Sequence, residues 1–367
     1  MSDPISREEL LEKLSDILTV NECAALISRI HKKKCTKAKR FGLYPIEDWE
    51  AFQRMKILES SHWQADEVKF EDDRNDFNEL TEEEQLPLIM AFGFFAVGDG
   101  SIASMLAYQM VLIADTFEKQ CFYIVQTNNE RVHGETYGKM IHTLVSDPVK
   151  REKIFDSVEN VRSIEAMNDF IEQAFTYPKD DRHLYVSLAS AEYLLFTPLF
   201  CIIFWYRAYK RGKLRQIIFS NEQIAKDECA HCENGCANYQ KLMVRYSDEE
   251  IHSYIDTVVK LVHNFAEEVL SNIRLPELTV ENVGQYVKFV ADDLFERLGH
   301  SKHYLVANPF SWMNLTCLIP KTNFYEGTVG EYSRCNPFQA VIDAKKLCSG
   351  IIDETTNVYL GTKTTKF

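Results

Sequence analysis

Apolar residues along this chain recur at three- and four-residue intervals and almost never alternate, a helical pattern throughout. Leu10, Leu11, Leu14, Ile17 and Leu18 form one stripe, flanked by the capping boxes Ser6-Arg-Glu-Glu9 and Thr19-Val-Asn-Glu22. They predict a small helical arm over residues 1–40, ending in the basic linker His31 to Arg40. Thr81-Glu-Glu-Glu84 opens a long helix, and further helices are expected over 103–143, 149–175, 182–211, 219–245, 247–272 and 280–302. Polar Glu71 to Asp76 reads as a loop. Past Ala307 the periodicity fails and glycines enter at 327, 330, 350 and 361, so 326–367 reads as a flexible tail. The expected organisation is an arm (1–40), an all-α body (41–325) and a tail (326–367).

Two runs are apolar enough to suggest membrane spans, Leu86 to Ala114 and Leu194 to Tyr206. Asp99 interrupts the first, and the second has 13 residues and contains Pro198. A helical span needs about 20 apolar residues, so both are expected inside a large core. A hydrophobic share of 46% over 367 residues excludes a mostly disordered chain. The net charge of −14, with basic residues clustered only at 31–40, argues against nucleic acid and anionic membranes as partners. The start, Met1-Ser2-Asp3-Pro4, carries no secretory pattern, so the ten cysteines read as reduced thiols in a cytoplasmic protein. Cys229-Ala-His-Cys232 with Cys236 lacks a second ligand pair for zinc and reads as small buried thiols.

The chemistry lies in carboxylates and histidines. A Glu-x-x-His pair puts both side chains on one helical face. Two such helices, plus one acid from each of two others, hold a di-iron or di-manganese pair in a four-helix bundle. The chain carries four copies: Glu59/His62, Glu130/His133, Glu228/His231 and Glu249/His252. Context separates them. Glu249/His252 follows the N-cap Ser247 in an acidic first turn, and Glu59/His62 precedes a loop; both read as surface pairs. His300 and His303 lack a glutamate at the right offset. Glu130/His133 lies 31 residues after Asp99, and Glu228/His231 lies 36 residues after Glu192. Both lone acids sit in apolar helices, where an unpaired carboxylate is costly or neutralised. The competing reading is that they pair with Arg or Lys. Four carboxylates and two imidazoles would instead neutralise two divalent irons and leave positions open for oxygen.

These residues, with others, resemble the small, radical-generating subunit of class I ribonucleotide reductase of the eukaryotic type. The resemblance runs from Tyr44 to Tyr332. Its motifs are Ser61-His-Trp63-Gln-Ala-Asp-Glu67, Phe94-Phe-Ala-Val-Gly-Asp99-Gly, Glu130-Arg-Val-His133-Gly-Glu-Thr-Tyr137, Ser190-Ala-Glu192, Phe219 through Asp227-Glu228-Cys-Ala-His231, Asn308-Pro-Phe310, Lys321-Thr-Asn-Phe324 and Val329-Gly-Glu-Tyr332. It implies an all-α, ferritin-like bundle holding two Fe ions per chain, with Mn as the alternative metal. Asp99, Glu130 and His133 would hold one ion, and Glu192, Glu228 and His231 the other. Tyr137 would carry a stable radical, formed by the di-iron centre and dioxygen. Phe196, Phe200 and Ile224 would wall it off. Trp63, Asp227 and Tyr332 would relay the radical to a large subunit that docks the C-terminal tail and reduces ribonucleotides. A homodimer is implied as well. The alternatives on the same fold are a di-iron oxidase or desaturase, an iron store, and a metal-free partner of an active small subunit. Two departures stand out: 35 residues follow Tyr332, and Lys363 and Lys366 stand near a terminus that is usually acidic.

Overall fold

Side-chain caps decide where the long helices begin. In the computed structural model the described residues are 42–160, 162–271 and 273–313, with Val341, Ile342, Ala344 and Lys345. The helical arm and its capping boxes, the basic linker, Tyr332 and Phe367 lie outside them. Helix α1 (Trp49–Ser60) is capped by Asp48, which accepts from Ala51 N at 3.0 Å. Helix α2 (Glu82–Met105) starts at the expected capping box: Glu84 N donates to Thr81 at 3.3 Å, and Thr81 N to Glu84 at 3.2 Å. It runs on through a π turn, Leu106–Met110, to Ile113.

The expected helix over 103–143 is therefore two helices. The chain breaks after Ile113, and Thr116 accepts from Lys119 N at 3.3 Å to start α3 (Phe117–Leu144). The Asp115-Thr116 capping signal was the overlooked cue. Helices α4 (Pro148–Asn160) and α5 (Arg162–Thr176) follow. The stretch expected as one helix over 182–211 is α6 (Asp181–Ser190), a π turn at Ala191–Leu195 and α7 (Thr197–Tyr209). Pro198 falls in the first turn of α7, where its missing N–H costs nothing. Helix α8 (Arg215–Gln240) comes next, then α9 (Asp248–Leu270) with a Ser247–Glu250 capping box. Helix α10 (Val280–Leu298) ends at Gly299 with φ 81°. No strand occurs among the described residues.

Glu71 to Asp76 is not a plain loop. It forms a 3-10 turn, Phe70–Asp73, and one helical turn, Arg74–Asn78. Asp73 accepts from Ile217 N at 2.8 Å and Asp76 from Leu214 N at 3.0 Å, so both acids cap the N-terminus of α8 from afar.

Helices α2 and α3 share the longest interface, α6 packs along α8, α1 covers α3, and α9 pairs with α10. Tyr123 meets Asn238 and Tyr137 meets Asn221, so α3 and α8 run antiparallel. The stretches Glu82–Ile113 and Asp181–Tyr209 are long and apolar enough to cross a membrane by length and composition, and the second is almost wholly buried in the core. Cys121, Cys201, Cys232 and Cys236 are free thiols, whereas Cys229 is disulfide-bonded, against the expectation of reduced thiols throughout. Val341 and Ala344, expected in a flexible tail, are helical and buried against the core.

Candidate metal centre

Four neighbouring elements carry the six predicted ligands inward. Helix α2 supplies Asp99, α3 supplies Glu130 and His133, the π turn supplies Glu192, and α8 supplies Glu228 and His231. None is more than 2% exposed. A π turn at a functional acid is a recurring device, since its wider spacing re-aims a side chain within a continuing helix.

Ligand atoms of Glu130, Glu192, Glu228 and His231 all lie within 4.8 Å of one another. His231 Nδ1 is 2.9 Å from Glu130, 3.1 Å from Glu228 and 3.7 Å from Glu192. His133 Nδ1 is 3.1 Å from Glu228 and 3.4 Å from Glu130. Both Asp99 oxygens, both Glu130 oxygens, Glu192 Oε2 and Glu228 Oε1 lack a hydrogen-bond partner, and so does His231 Nε2. The 2.9 Å approach of His231 to Glu130 has the distance of a hydrogen bond without its geometry. Buried polar atoms are nearly always satisfied, so this many orphans in one place fit the ligand set of a cation. No Arg or Lys pairs with any of the four acids in the described ion pairs, which removes the competing reading. Oxygen and imidazole donors suit iron or manganese.

Electrostatics agree. Burial, reinforced by the neighbouring acids, pushes the Asp99 and Glu192 carboxyls well above their usual range. Burial would also raise Glu228, but His133 and His231 beside it hold it below the usual range. Burial would lower both imidazoles; instead Glu228 and its neighbours push His133 up, and Glu130 and its neighbours push His231 up. Without metal, protons on the imidazoles thus balance the carboxylates. A cation must displace them, so metal uptake should weaken as pH falls, and binding should release protons. The metal-free fold has the opposite slope. Groups with raised pKa stabilise it at low pH, and that stability is lost as pH rises through their folded values. Metal titrations in buffers of differing ionisation heat would show both; pH-independent uptake without proton release would contradict this.

The other histidine pairs stay apart. Glu59 is exposed and paired with Lys56, and His62 contacts Gln64. Glu249 is exposed, and His252 meets Ser301 O at 2.9 Å and stacks on His303. His300 caps no metal group; it contacts Tyr239 and Asp248. Cys232 and Cys236 lie 3.9 Å apart, buried, and no candidate metal group among the described residues includes them.

From the centre a polar chain leads outward. His133 Nε2 is 3.2 Å from Asp227 Oδ2, and Trp63 Nε1 donates to that same oxygen at 2.9 Å. The Trp63 ring also stacks over His133, with centroids 6.2 Å apart. Trp63 is buried, while its neighbour Gln64 is exposed.

The profile of the family described as ribonucleotide reductase, small chain, matches residues 40–309. The chain belongs to the ribonucleotide reductase small-chain family. This small chain is 34% identical over 300 residues to human ribonucleoside-diphosphate reductase subunit M2, covering 81% of this chain and 76% of the relative. It is 32% identical over 295 residues to the Variola virus small chain, covering 80% and 92%. Among solved structures, the Rnr4 homodimer of Saccharomyces cerevisiae superposes with a TM-score of 0.68 at 20% identity, covering 75% of this chain and 87% of that one. The dimanganese(II) NrdF of Streptococcus sanguinis gives 0.68 at 15% identity, covering 76% and 99%. The fold is thus the expected all-α, ferritin-like one.

Tyr137 of this small chain is fully buried, seven residues beyond Glu130 on α3. Its hydroxyl donates to Asn221 Oδ1 at 2.7 Å. Asn221 Nδ2 donates in turn to Ile217 O at 2.8 Å, which fixes the amide's orientation. Phe95 lies flat against the phenol, with centroids 4.4 Å apart and planes 2° from parallel. Phe196 and Phe200 are buried as expected and pack on Phe95, at 5.2 and 5.3 Å, while Ile224 lies buried one helical turn from Asn221. Burial, then Asp99, pushes the phenol well above its usual range, so it stays protonated when reduced.

Three contributors escaped the sequence reading. Phe95 stands four residues before Asp99, Gln126 four before Glu130, and Asn221 seven before Glu228. All share a helical face with a candidate ligand, which was the available signal. Gln126 Nε2 donates to Glu192 Oε1 at 2.6 Å and so orients that carboxylate. A cavity bounded by Glu192, Glu228, Thr197, Phe200, Cys229 and Met313 borders the centre.

Proposed function

We propose that this small chain holds a two-metal centre at Asp99, Glu130, His133, Glu192, Glu228 and His231 and stores an oxidising equivalent on Tyr137. The observation that carries this is the set of orphaned, fully buried carboxylate oxygens facing two imidazoles, with a sealed phenol two turns along the same helix. When bound, two irons or two manganese ions would supply, with dioxygen, the one-electron oxidation. The chain supplies the rest. Asn221 Oδ1 holds the hydroxyl of the reduced phenol. Phe92 and Phe95 exclude water, which would otherwise bring reductants to the radical. Gln126 orients Glu192. Asp227, shared between His133 and Trp63, links the centre to the indole that opens the route outward.

The assembly is proposed as a cytoplasmic homodimer working with a large subunit. Leu86, Tyr108, Leu112 and Ile124 are exposed apolar side chains on α2, its continuation and α3, a surface suited to a second copy. The tail would dock the large subunit, with Tyr332 passing the radical. Tyr332→Phe should abolish ribonucleotide reduction while leaving the Tyr137 radical and large-subunit binding unchanged. Deleting residues 361–367 should also stop turnover with the radical intact, and a peptide ending in Phe367 should compete on the order of micromolar, since ordering a free segment limits its affinity. Full turnover by the truncated chain would refute tail docking.

A further inference from the structure

The residues at 341–345 belong to a stretch that sequence periodicity leaves as free tail, yet they lie on the body of the chain. Val341 is 7% exposed and Ala344 1%, while Ile342 between them is 47% exposed. Positions three apart share a helical face, so this short segment has an apolar side turned inward and another turned to solvent. The ammonium of Lys345 sits 5.6 Å from the centre of the Trp49 ring, within the range of a cation–π contact. Trp49 itself packs edge-on against Phe52 at 6.0 Å at the start of α1. The segment that carries it is acidic, Glu47, Asp48 and Glu50, whereas Lys345 is followed by Lys346. Lys241 already pairs with Asp48 and Glu50, so the cation–π contact and the burial of Val341 and Ala344, rather than ion pairing, carry the match.

We propose that the surface around Trp49 is a docking site for this chain's own residues 341–345, a clip that fastens the C-terminal extension to the small chain. The consequence for radical transfer rests on the role given above to Tyr332, but the clip does not. Phe310 and Met313 are buried, and so is Val341, 28 positions after Met313. Val341 comes nine positions after Tyr332, a reach of at most about 30 Å. Helix α1, 12 residues and about 18 Å long, separates Trp49 from the turn that carries Trp63. By chain length alone, a closed clip would limit Tyr332 to that reach from Val341, which is the consequence for radical transfer. The sequence continues for 22 residues after Lys345, so the clip does not use the terminus proposed to engage a large subunit.

Hydrogen exchange of the full chain, read by mass spectrometry over peptides covering 341–345, tests the clip without any large subunit. The wild type should exchange there at least about tenfold more slowly than an unstructured peptide. Val341→Asp should abolish that protection, and Trp49→Ala should remove most of it. Trp49→Phe, which keeps an aromatic face, and Ile342→Asp, on the solvent side, should retain it. Val341→Asp alters only the docked segment, so it remains decisive if Trp49→Ala fails to fold. Unprotected exchange in the wild type, or protection indifferent to Val341→Asp, would overturn the proposal. If protection behaves as expected but Tyr332→Phe leaves turnover intact, the clip stands and the relay role of Tyr332 falls.

Discussion

Tyr137→Phe is expected to give a chain that takes up its full metal complement yet shows no tyrosyl radical by electron paramagnetic resonance after iron(II) and dioxygen. The substitution removes a single hydroxyl. Phe95 can still stack on the ring, and no candidate ligand contacts the lost oxygen by hydrogen bond. Asn221 Oδ1 loses its only described donor, so the fold should weaken by about 1–3 kcal/mol, the usual cost of stranding a buried acceptor. Metal content is the control that separates loss of the radical from loss of the centre. A radical of unchanged intensity would place it on another tyrosine. Tyr123 would be the first suspect, because it is buried on the same helix, seven residues to the other side of Glu130, with its hydroxyl accepting from Asn238 at 3.1 Å.

Removing a carboxylate or imidazole from the centre should have the largest effect on metal. Glu228→Ala or His231→Ala should leave one ion per chain or none. Glu228 approaches both imidazoles at 3.1 Å, so its truncation also strips His133 and His231 of their shared counter-charge. Breaking one partner of a buried charged set is strongly destabilising, about 3–5 kcal/mol, so the metal-free variant should melt early as well. Glu249→Ala and His252→Ala are the matched control. They disrupt the same sequence motif on α9, where Glu249 is exposed and His252 contacts a backbone carbonyl. Metal content there should equal wild type, and the stability change for His252→Ala should stay near 1 kcal/mol, the net worth of one hydrogen bond. Metal loss in that pair would show that sequence context misassigned the motif.

Those two experiments bear on a division of labour between sequence and fold. Helical periodicity is a local property. It follows from 3.6 residues per turn and from caps within four residues, so Thr81–Glu84, Ser247–Glu250 and the shared face of Glu130 with His133 were legible along the chain. The misfit of Asp99 and Glu192 in apolar helices was legible too, because burying an unpaired acid is costly wherever the helix ends up. What periodicity cannot say is which faces meet. Trp63 and Asp227 share a hydrogen bond across 164 residues, and Tyr137 and Asn221 across 84. Antiparallel packing of α3 on α8 creates the second contact, and nothing within either helix announces it. The π turn at Glu192 was hidden for the same reason: a widened turn is selected by what the acid must face, not by local propensity. The burial of Val341 and Ala344 was also invisible, since two small apolar residues in a glycine-containing tail form no stripe, and only the fold shows them joining the core.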